Sequence, residues 1–467
     1  MITTLIILFV IGYLAIALEH PIKIDKTASA LLLGMLMWVL YAMGAEYFIP
    51  AFNGEDFNEF VAQAGLASSD LKTQSLRYLT DVQIIESVGE ITQTLLFLIG
   101  AMTIVELIDV HNGFRVITDN INSRNKKKLL WVISITTFIL SAVLDNLTTT
   151  IVMVMLLRKL IRDQKDRWLY AGMIVIAANT GGAWSPIGDI TTIMLWVKGN
   201  VTVGALIMKV LLPSLVAMII PAIIISRKLS GDLGDMPTPS PESSMAESFS
   251  FRDQCIIFIL GIVGLISVPI LKTATHLPPF IGMLLVLGIL WVFVEIYYNR
   301  KTKVMDRAKQ HRIPRVIARI DMPSILFFLG ILMAVDILQL TGILSDLSTW
   351  LDTKVHNIYI INVLLGLLSS IVDNVPLVAG AIGMYPVAVD GAIGYASNFV
   401  VDGTFWEFLS YCAGVGGSVL IIGSAAGVIA MGLEKINFGW YIKKISWPAL
   451  AGYLGGAAVY VLETIIF

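Results

Sequence analysis

An Asp-Asn pair occurs twice in this chain, each time inside an apolar stretch. The first pair, Asp145-Asn146, lies in SAVLDNLTT, and the second pair, Asp373-Asn374, lies in SSIVDNVP. An ionisable side chain at membrane depth costs about 3 kcal/mol on insertion scales, so it is tolerated mainly beside a partner, an ion or water. Two such pairs in matching halves of one chain predict a shared site for a cation.

The composition indicates a membrane protein with many spans. Apolar residues make up 57% of the 467 residues, and charged residues make up 14%, against about 25% in soluble domains. Many separate apolar runs approach the roughly 20 residues that a bilayer span requires. We predict an all-α polytopic membrane protein with candidate spans at 2–18, 27–44, 91–110, 129–157, 168–197, 205–226, 254–272, 279–298, 322–340, 356–389, 405–432 and 445–467.

The distribution of charge predicts two re-entrant hairpins. Basic residues mark the cytoplasmic face, and they flank segment 129–157 on both sides, so both of its ends are expected inside. As helices, its two arms would be about 24 Å and 16 Å long, which is too short for a hydrocarbon core of about 30 Å. We therefore predict a hairpin with the first Asp-Asn pair at its tip. Segment 356–389 is predicted to enter from the other face, and the acidic segment 45–90 is assigned to the outer side.

The two halves of the chain match in order and spacing. A span broken by glycines follows each hairpin, at 168–197 and at 405–432. Inverted repeats whose broken helices meet near the membrane midplane are typical of secondary transporters. We predict about five transmembrane helices plus one re-entrant hairpin per half. We predict a first inverted repeat at 1–228, a cytoplasmic linker at 229–253 and a second inverted repeat at 254–467.

The hairpin tips and broken spans carry the oxygen ligands that a hard cation such as Na+ prefers. The primary candidates for ion and proton binding are Asp145, Asn146, Thr148, Asp189, Thr191, Thr192, Ser369, Asp373 and Asn374. Na+ itself is assigned to Asp145, Asn146, Asp373 and Asn374. A second group of candidates comprises Asn179, Ser185, Ser418, Ser424, Glu90, Glu106 and Asp336. Several carboxylates in one low-dielectric cavity cannot all be ionised without a cation, so Na+ and H+ are expected to compete for the same oxygens.

Structural roles are alternatives for several of these residues. An aspartate at a hairpin tip can cap a helix N-terminus, and so can Asp189, which follows Pro-Ile-Gly. Ser418 and Ser424 can serve as small residues for close helix packing. The three acidic residues of the second group lie near span ends, where a boundary role is an alternative.

The motifs resemble those of NhaD-type sodium/proton antiporters, which belong to the ion transporter superfamily. The resemblance covers roughly residues 80–460 and rests on the paired tips, on NTGGAWSPIGDITT at 179–192 and on GGSVLIIGSA at 416–425. It implies a homodimer in which a transport part moves as a rigid unit beside a scaffold part. The dicarboxylate carriers of the superfamily have Ser-Asn-Thr at the tips, and the aspartates at both serine positions favour a cation.

We therefore expect a transporter that exchanges cytoplasmic Na+ or Li+ for external H+. We expect no enzymatic activity and no cofactor. A bacterial plasma membrane is expected because no transit segment is recognised, and the basic loop 300–319 is interpreted as a topology signal and not as a nucleic-acid surface. One alternative is an anion or metalloid carrier of the same superfamily. Another is an intramembrane aspartyl protease, which is disfavoured because Pro186 stands where the Gly-x-Gly-Asp pattern needs its first glycine.

Overall fold

The structure is a computed structural model that describes residues 1–17, 19–114, 123–233, 251–301, 313–371 and 373–466. Within these ranges the regular elements are helices, accompanied by one isolated bridge between Asn125 and Asp232. Eight of the described helices are long and apolar enough to cross a membrane. The prediction of an all-α polytopic membrane protein is confirmed. Most of the predicted linker 229–253 and of the basic loop 300–319 lies outside the described residues.

The helices up to the linker are α1 Ile2–Ala17, α2 Glu19–Ile22, α3 Lys26–Met43, α4 Ala45–Phe52, α5 Gly54–Gln63, α6 Leu71–Tyr78, the π-helical turn Leu79–Gln83, α7 Ile84–Val110, α8 Lys126–Leu144, α9 Asn146–Leu160, α10 Gln164–Gly182, α11 Ile190–Val197 and α12 Val203–Ser226. Those after it are α13 Phe251–Thr275, α14 Pro279–Lys301, α15 Ile313–Ile317, α16 Met322–Leu340, α17 Ile343–Lys354, α18 Ile358–Ser369, α19 Asn374–Met384, the 3-10 helix Gly394–Phe399, α20 Thr404–Gly416, α21 Ala425–Glu434, α22 Phe438–Tyr441, the π-helical turn Ile442–Ser446 and α23 Trp447–Ile466.

The contacts divide the chain into two compact units. The first unit consists of Met1–Leu96, Asp321–Asn357 and Val375–Pro386. Within it, α3 packs against α16 with almost no side chain between the two backbones, since a Cβ on Gly34 would collide with the carbonyl oxygen of Gly330. Trp38 donates its indole N–H to the carbonyl oxygen of Met333 at 3.1 Å. Small residues and a buried hydrogen bond thus fix this helix pair.

The second unit consists of Phe97–Ile320, Ile358–Asn374 and Val387–Phe467. It contains α8 to α12 and α20 to α23, and therefore both broken spans. Helix α23 packs closely on α12, where a Cβ on Gly452 would meet the carbonyl oxygen of Ala217. The hydroxyl of Tyr411 donates to the carbonyl oxygen of Tyr453 at 2.7 Å, and the two rings stack. This apolar and aromatic packing supports the polar residues described next.

Candidate functional site

The tip between α8 and α9 is formed by Asp145 in an unusual backbone conformation. Its φ is 130° and its ψ is 162°, and its carboxylate caps α9. Thr148 donates its backbone N–H to Oδ1 at 2.7 Å and its hydroxyl to Oδ2 at 2.9 Å. Strained backbone of this kind costs about 1–3 kcal/mol and persists where the surroundings over-determine it, often at functional sites. Asp145 therefore combines the capping role with a position at the tip.

Asp189 occupies the break between α10 and α11 and is 1% exposed. Oδ1 accepts the backbone N–H of Thr191 at 2.9 Å and its hydroxyl at 2.8 Å. Thr192 closes the cap, because its hydroxyl oxygen accepts the backbone N–H of Asp189 at 3.3 Å. Capping uses only part of this carboxylate, which leaves Oδ2 directed at other elements.

The asparagines of both Asp-Asn pairs converge on Asp189. Nδ2 of Asn146 donates to Oδ2 of Asp189 at 2.5 Å, and Nδ2 of Asn374 lies 3.3 Å from both carboxylate oxygens. Asp145 and Asp373 also interact electrostatically with Asp189. The structure thus brings both tip asparagines onto Asp189, and Asp145 and Asp373 are close enough to interact with it electrostatically.

Asn179 connects this centre to the second broken span. Its Oδ1 accepts the amide of Asn146 at 3.1 Å, while its Nδ2 donates to the hydroxyls of Ser418 at 3.1 Å and Ser424 at 2.9 Å. Ser424 in turn caps α21, since its Oγ accepts the backbone N–H of Gly427 at 3.2 Å. The side chains of Asn146, Asn374, Ser418 and Ser424, which bond to Asn179 or Asp189, are all buried.

Each broken span is joined to a preceding helix by a serine-to-carbonyl bond. Ser141 donates to the carbonyl oxygen of Ala178 at 2.6 Å, and Ser369 donates to that of Ala413 at 2.9 Å. Ser141 was not among the candidates, although both serines stand four residues before an Asp-Asn pair. The matching position in the other half was the signal that could have found it.

Glycines make matching contacts in the two halves of the chain, as the serines do. A Cβ on Gly181 would collide with the carbonyl oxygen of Phe138, and one on Gly416 would collide with that of Gly366. Backbone therefore meets backbone where each broken span crosses the helix that precedes the nearest Asp-Asn pair. Ser185 also binds backbone, since its hydroxyl donates to the carbonyl oxygen of Ala142. These contacts place the helix breaks beside the tips.

The remaining candidates lie apart from this network or in the other unit. Glu106 pairs with Arg319, with 3.1 Å between Oε1 and Nε. Glu90 and Asp336 belong to the first unit, and Glu90 is exposed. A direct role of these three acids in ion binding stays a prediction.

The arrangement offers both charged and neutral oxygens to a cation. Helices begin at Asn146, Ile190 and Ala425 and end at Leu144, Gly182 and Gly416, so the N–H groups and carbonyl oxygens of helix ends lie at the breaks. The described residues contain no group of three or more His, Cys, Asp or Glu side chains placed to hold a metal ion. The candidate ligands here are thus one central carboxylate with amide, hydroxyl and carbonyl oxygens around it.

Comparison with known proteins identifies the family. Residues 6–401 match the model of the citrate transporter family. Sodium/proton antiporters 1 and 2 of Arabidopsis thaliana are each 39% identical over 97% of this chain, which covers 71% and 98% of their lengths. The Na+/H+ antiporter NhaD of Vibrio cholerae is 30% identical over 98% of this chain and 91% of its own length. The chain therefore belongs to the citrate transporter family and, by its relatives, to the NhaD-type sodium/proton antiporters.

Proposed function

We propose that this protein is a secondary transporter that exchanges cytoplasmic Na+ or Li+ for external H+. The observation that carries the proposal is the buried Asp189 carboxylate, which receives amides from both Asp-Asn pairs at a break between two helices. The names of the relatives support sodium/proton exchange as the reaction.

Competition for Asp189 is the proposed coupling step. Its carboxylate can hold either a proton or Na+, and burial removes the water that would otherwise screen both charges. The flanking Asp145 and Asp373 raise the demand for a cation at the same place. The amides of Asn146 and Asn374 can serve both states, because an amide N–H donates to a bare carboxylate and an amide oxygen can bind a cation. Exchange follows if the site opens to one face at a time.

Reconstitution in liposomes tests this function. Purified protein in liposomes with a preformed pH gradient should dissipate the gradient when Na+ or Li+ is added as a salt of an impermeant anion. K+ serves as the comparison cation, and protein-free liposomes report the leak. A gradient that Na+ leaves unchanged in correctly inserted protein would refute the proposal.

An anion carrier is the second candidate, because the matching family model is that of citrate transporters. The charges at the site argue against it. Three aspartates that interact electrostatically would repel a carboxylate substrate, and no described arginine or lysine is bonded to Asp189. Uptake of labelled citrate that is independent of Na+-driven proton movement would support this alternative instead.

The inverted repeat, 1–228 and 254–467, is a further part of the proposal. It is supported by the serine and glycine contacts that recur in the same order in both halves. Single cysteines placed near Arg124 and Arg162 should be labelled only from the cytoplasm, and those near Lys354 and Asp402 only from outside. Cys255 and Cys412, which are free thiols, are removed first. If the two cysteines of either pair were labelled from opposite faces, the segment between them would be an ordinary transmembrane span and not a re-entrant hairpin.

The cellular setting is also proposed. We place the protein in a bacterial plasma membrane as a homodimer without enzymatic activity or cofactor. The antiporter names of its relatives support transport, and the eight apolar helices support a multi-span location. Relatives occur in a plant and in bacteria, so fractionation of the source cells is the direct test of location.

A further inference from the structure

A buried glutamate lies at the opposite end of the helices that form the site. The side chain of Glu434, the last residue of α21, is 1% exposed. Nε of Arg158 binds Oε1 at 2.8 Å, and Nε of Arg167 binds Oε2 at 2.8 Å. Each carboxylate oxygen therefore has its own guanidinium. We call these three residues the Glu434 clamp.

The clamp also satisfies the end of the α21 backbone. Trp168 and Gln164 donate to the carbonyl oxygen of Glu434 at 2.9 and 3.2 Å, and Arg158 donates to that of Leu433. A carboxylate at a helix C-terminus is electrostatically unfavourable, because that end carries partial negative charge. The two arginines offset this unfavourable charge, so the buried carboxylate of Glu434 is stabilised by its ion pairs and not by the dipole of its own helix.

Three helices run from the clamp to the candidate site. Helix α9 carries Asn146 at one end and Arg158 near the other, separated by about 18 Å at 1.5 Å per residue. Helix α10 carries Arg167 in its first turn and Asn179 near its end, again about 18 Å apart. Helix α21 runs about 15 Å from its cap, Ser424, to the clamp. The three helices that the Asn179 network joins at one end are thus joined at the other end by one carboxylate.

We propose that Glu434, Arg158 and Arg167 are positioning residues that set the affinity of the candidate site for Na+. The inference rests on the proposed exchange function. A helix that is held at both ends cannot tilt. The Asn179 network holds one end of each of the three helices, and the clamp holds the other end. A tilt of about 4° over 15 Å moves the far end by about 1 Å, whereas a functional site needs its groups held within about 0.5 Å. Ligand geometry at Asn146, Asn179 and Ser424 therefore depends on the clamp.

The variant Glu434→Gln tests the inference. It keeps the shape of the side chain and removes the charge that both arginines share. In proteoliposomes we expect the apparent KM for Na+ to rise about tenfold, while the maximal rate per folded protein stays within about twofold. Arg167→Gln should raise the KM as well, and the double variant Arg167→Gln/Glu434→Gln should show less than the product of the two single effects, since both act through one contact.

A neighbouring ion pair provides the matched control. Nζ of Lys126 and Oδ2 of Asp166 are 2.7 Å apart and join α8 to the first turn of α10. Asp166→Asn should leave the KM unchanged. If Glu434→Gln fails to fold, Arg158→Gln, whose side chain is 46% exposed, is expected to raise the KM about threefold. An unchanged KM in a folded clamp variant, or an equal rise in Asp166→Asn, would overturn the inference. Wild-type protein without exchange would instead refute the proposed function.

Discussion

Replacing Asp189 with asparagine separates a transport role from a capping role. Asparagine can accept the N–H of Thr191, so the cap on α11 survives at a cost near or below about 1 kcal/mol. It carries no charge to offset Na+ and no exchangeable proton. We expect Asp189→Asn to insert and fold but to lose exchange, and Asp189→Glu to keep part of the activity with an altered apparent Na+ affinity.

The size of the effect follows from burial. Asp189 is 1% exposed, so water cannot substitute for the missing charge. Opposite unit charges about 4 Å apart attract by about 4 kcal/mol at an effective dielectric constant of about 20. At about 1.4 kcal/mol per decade, this corresponds to a loss of Na+ affinity near a thousandfold. The amide of Asn146, now 2.5 Å from Oδ2, would in addition face either an uncharged oxygen or another N–H.

The assay is Na+-dependent dissipation of a pH gradient in proteoliposomes, measured across several pH values and Na+ concentrations. Asp163→Asn is the matched control, because Asp163 also caps a helix of the second unit, accepting the N–H of Asp166 at 2.8 Å, but is exposed. The control should exchange at the wild-type rate. Near-normal exchange by folded Asp189→Asn would show that Asp189 is only a cap and would leave Asp145 and Asp373 as the candidate carboxylates for Na+ and H+.

Further predictions concern the tips and the helix crossings. Asp145→Asn and Asp373→Asn should each abolish Na+-driven proton movement at normal membrane levels, and a wild-type rate in either would remove that residue from the mechanism. Gly181→Ala should lower the yield of folded protein in detergent chromatography, because its Cβ would collide with backbone, whereas Gly432→Ala meets open space and should not. Ser141→Ala should lower the free energy of unfolding by about 0.5–1.5 kcal/mol, because the bond from its hydroxyl to the carbonyl oxygen of Ala178 is lost; an unchanged melting temperature would contradict this.

The sequence predicted which residues of the candidate site come together better than it predicted their arrangement. Apolar runs, glycine breaks and two Asp-Asn pairs were enough to predict an all-α membrane protein and to select Asp189 and Asn146. The pattern assigned Na+ to Asp145, Asn146, Asp373 and Asn374, whereas in the structure Asp145 caps its own helix and both asparagines donate to Asp189. The φ of 130° at Asp145 contributes to that difference, and no periodicity in the sequence encodes it.

Long-range packing accounts for the other differences. The predicted span from 91 is part of one continuous helical stretch, Leu71–Val110, which begins within the acidic segment 45–90. The hydroxyl of Tyr41 donates to Gln83 at 3.1 Å, and Gln83 donates to Asn53 at 3.2 Å. The Glu434 clamp was likewise not predictable, since its arginines are 276 and 267 residues away in sequence.

The amide of Asn374 on Asp189 has a consequence for biosynthesis. The two residues are 185 positions apart, so the ribosome has not yet made Asn374 when the first broken span enters the membrane. At synthesis rates of about 5–20 residues per second, the delay is about 10–40 s. During that interval Asp189 has Asn146 beside it but neither Asn374 nor the serines of the second broken span. The inserted chain should therefore be most susceptible to proteolysis before residue 374 has been synthesised. A transcript truncated before this residue should yield a product that the cell's membrane proteases remove.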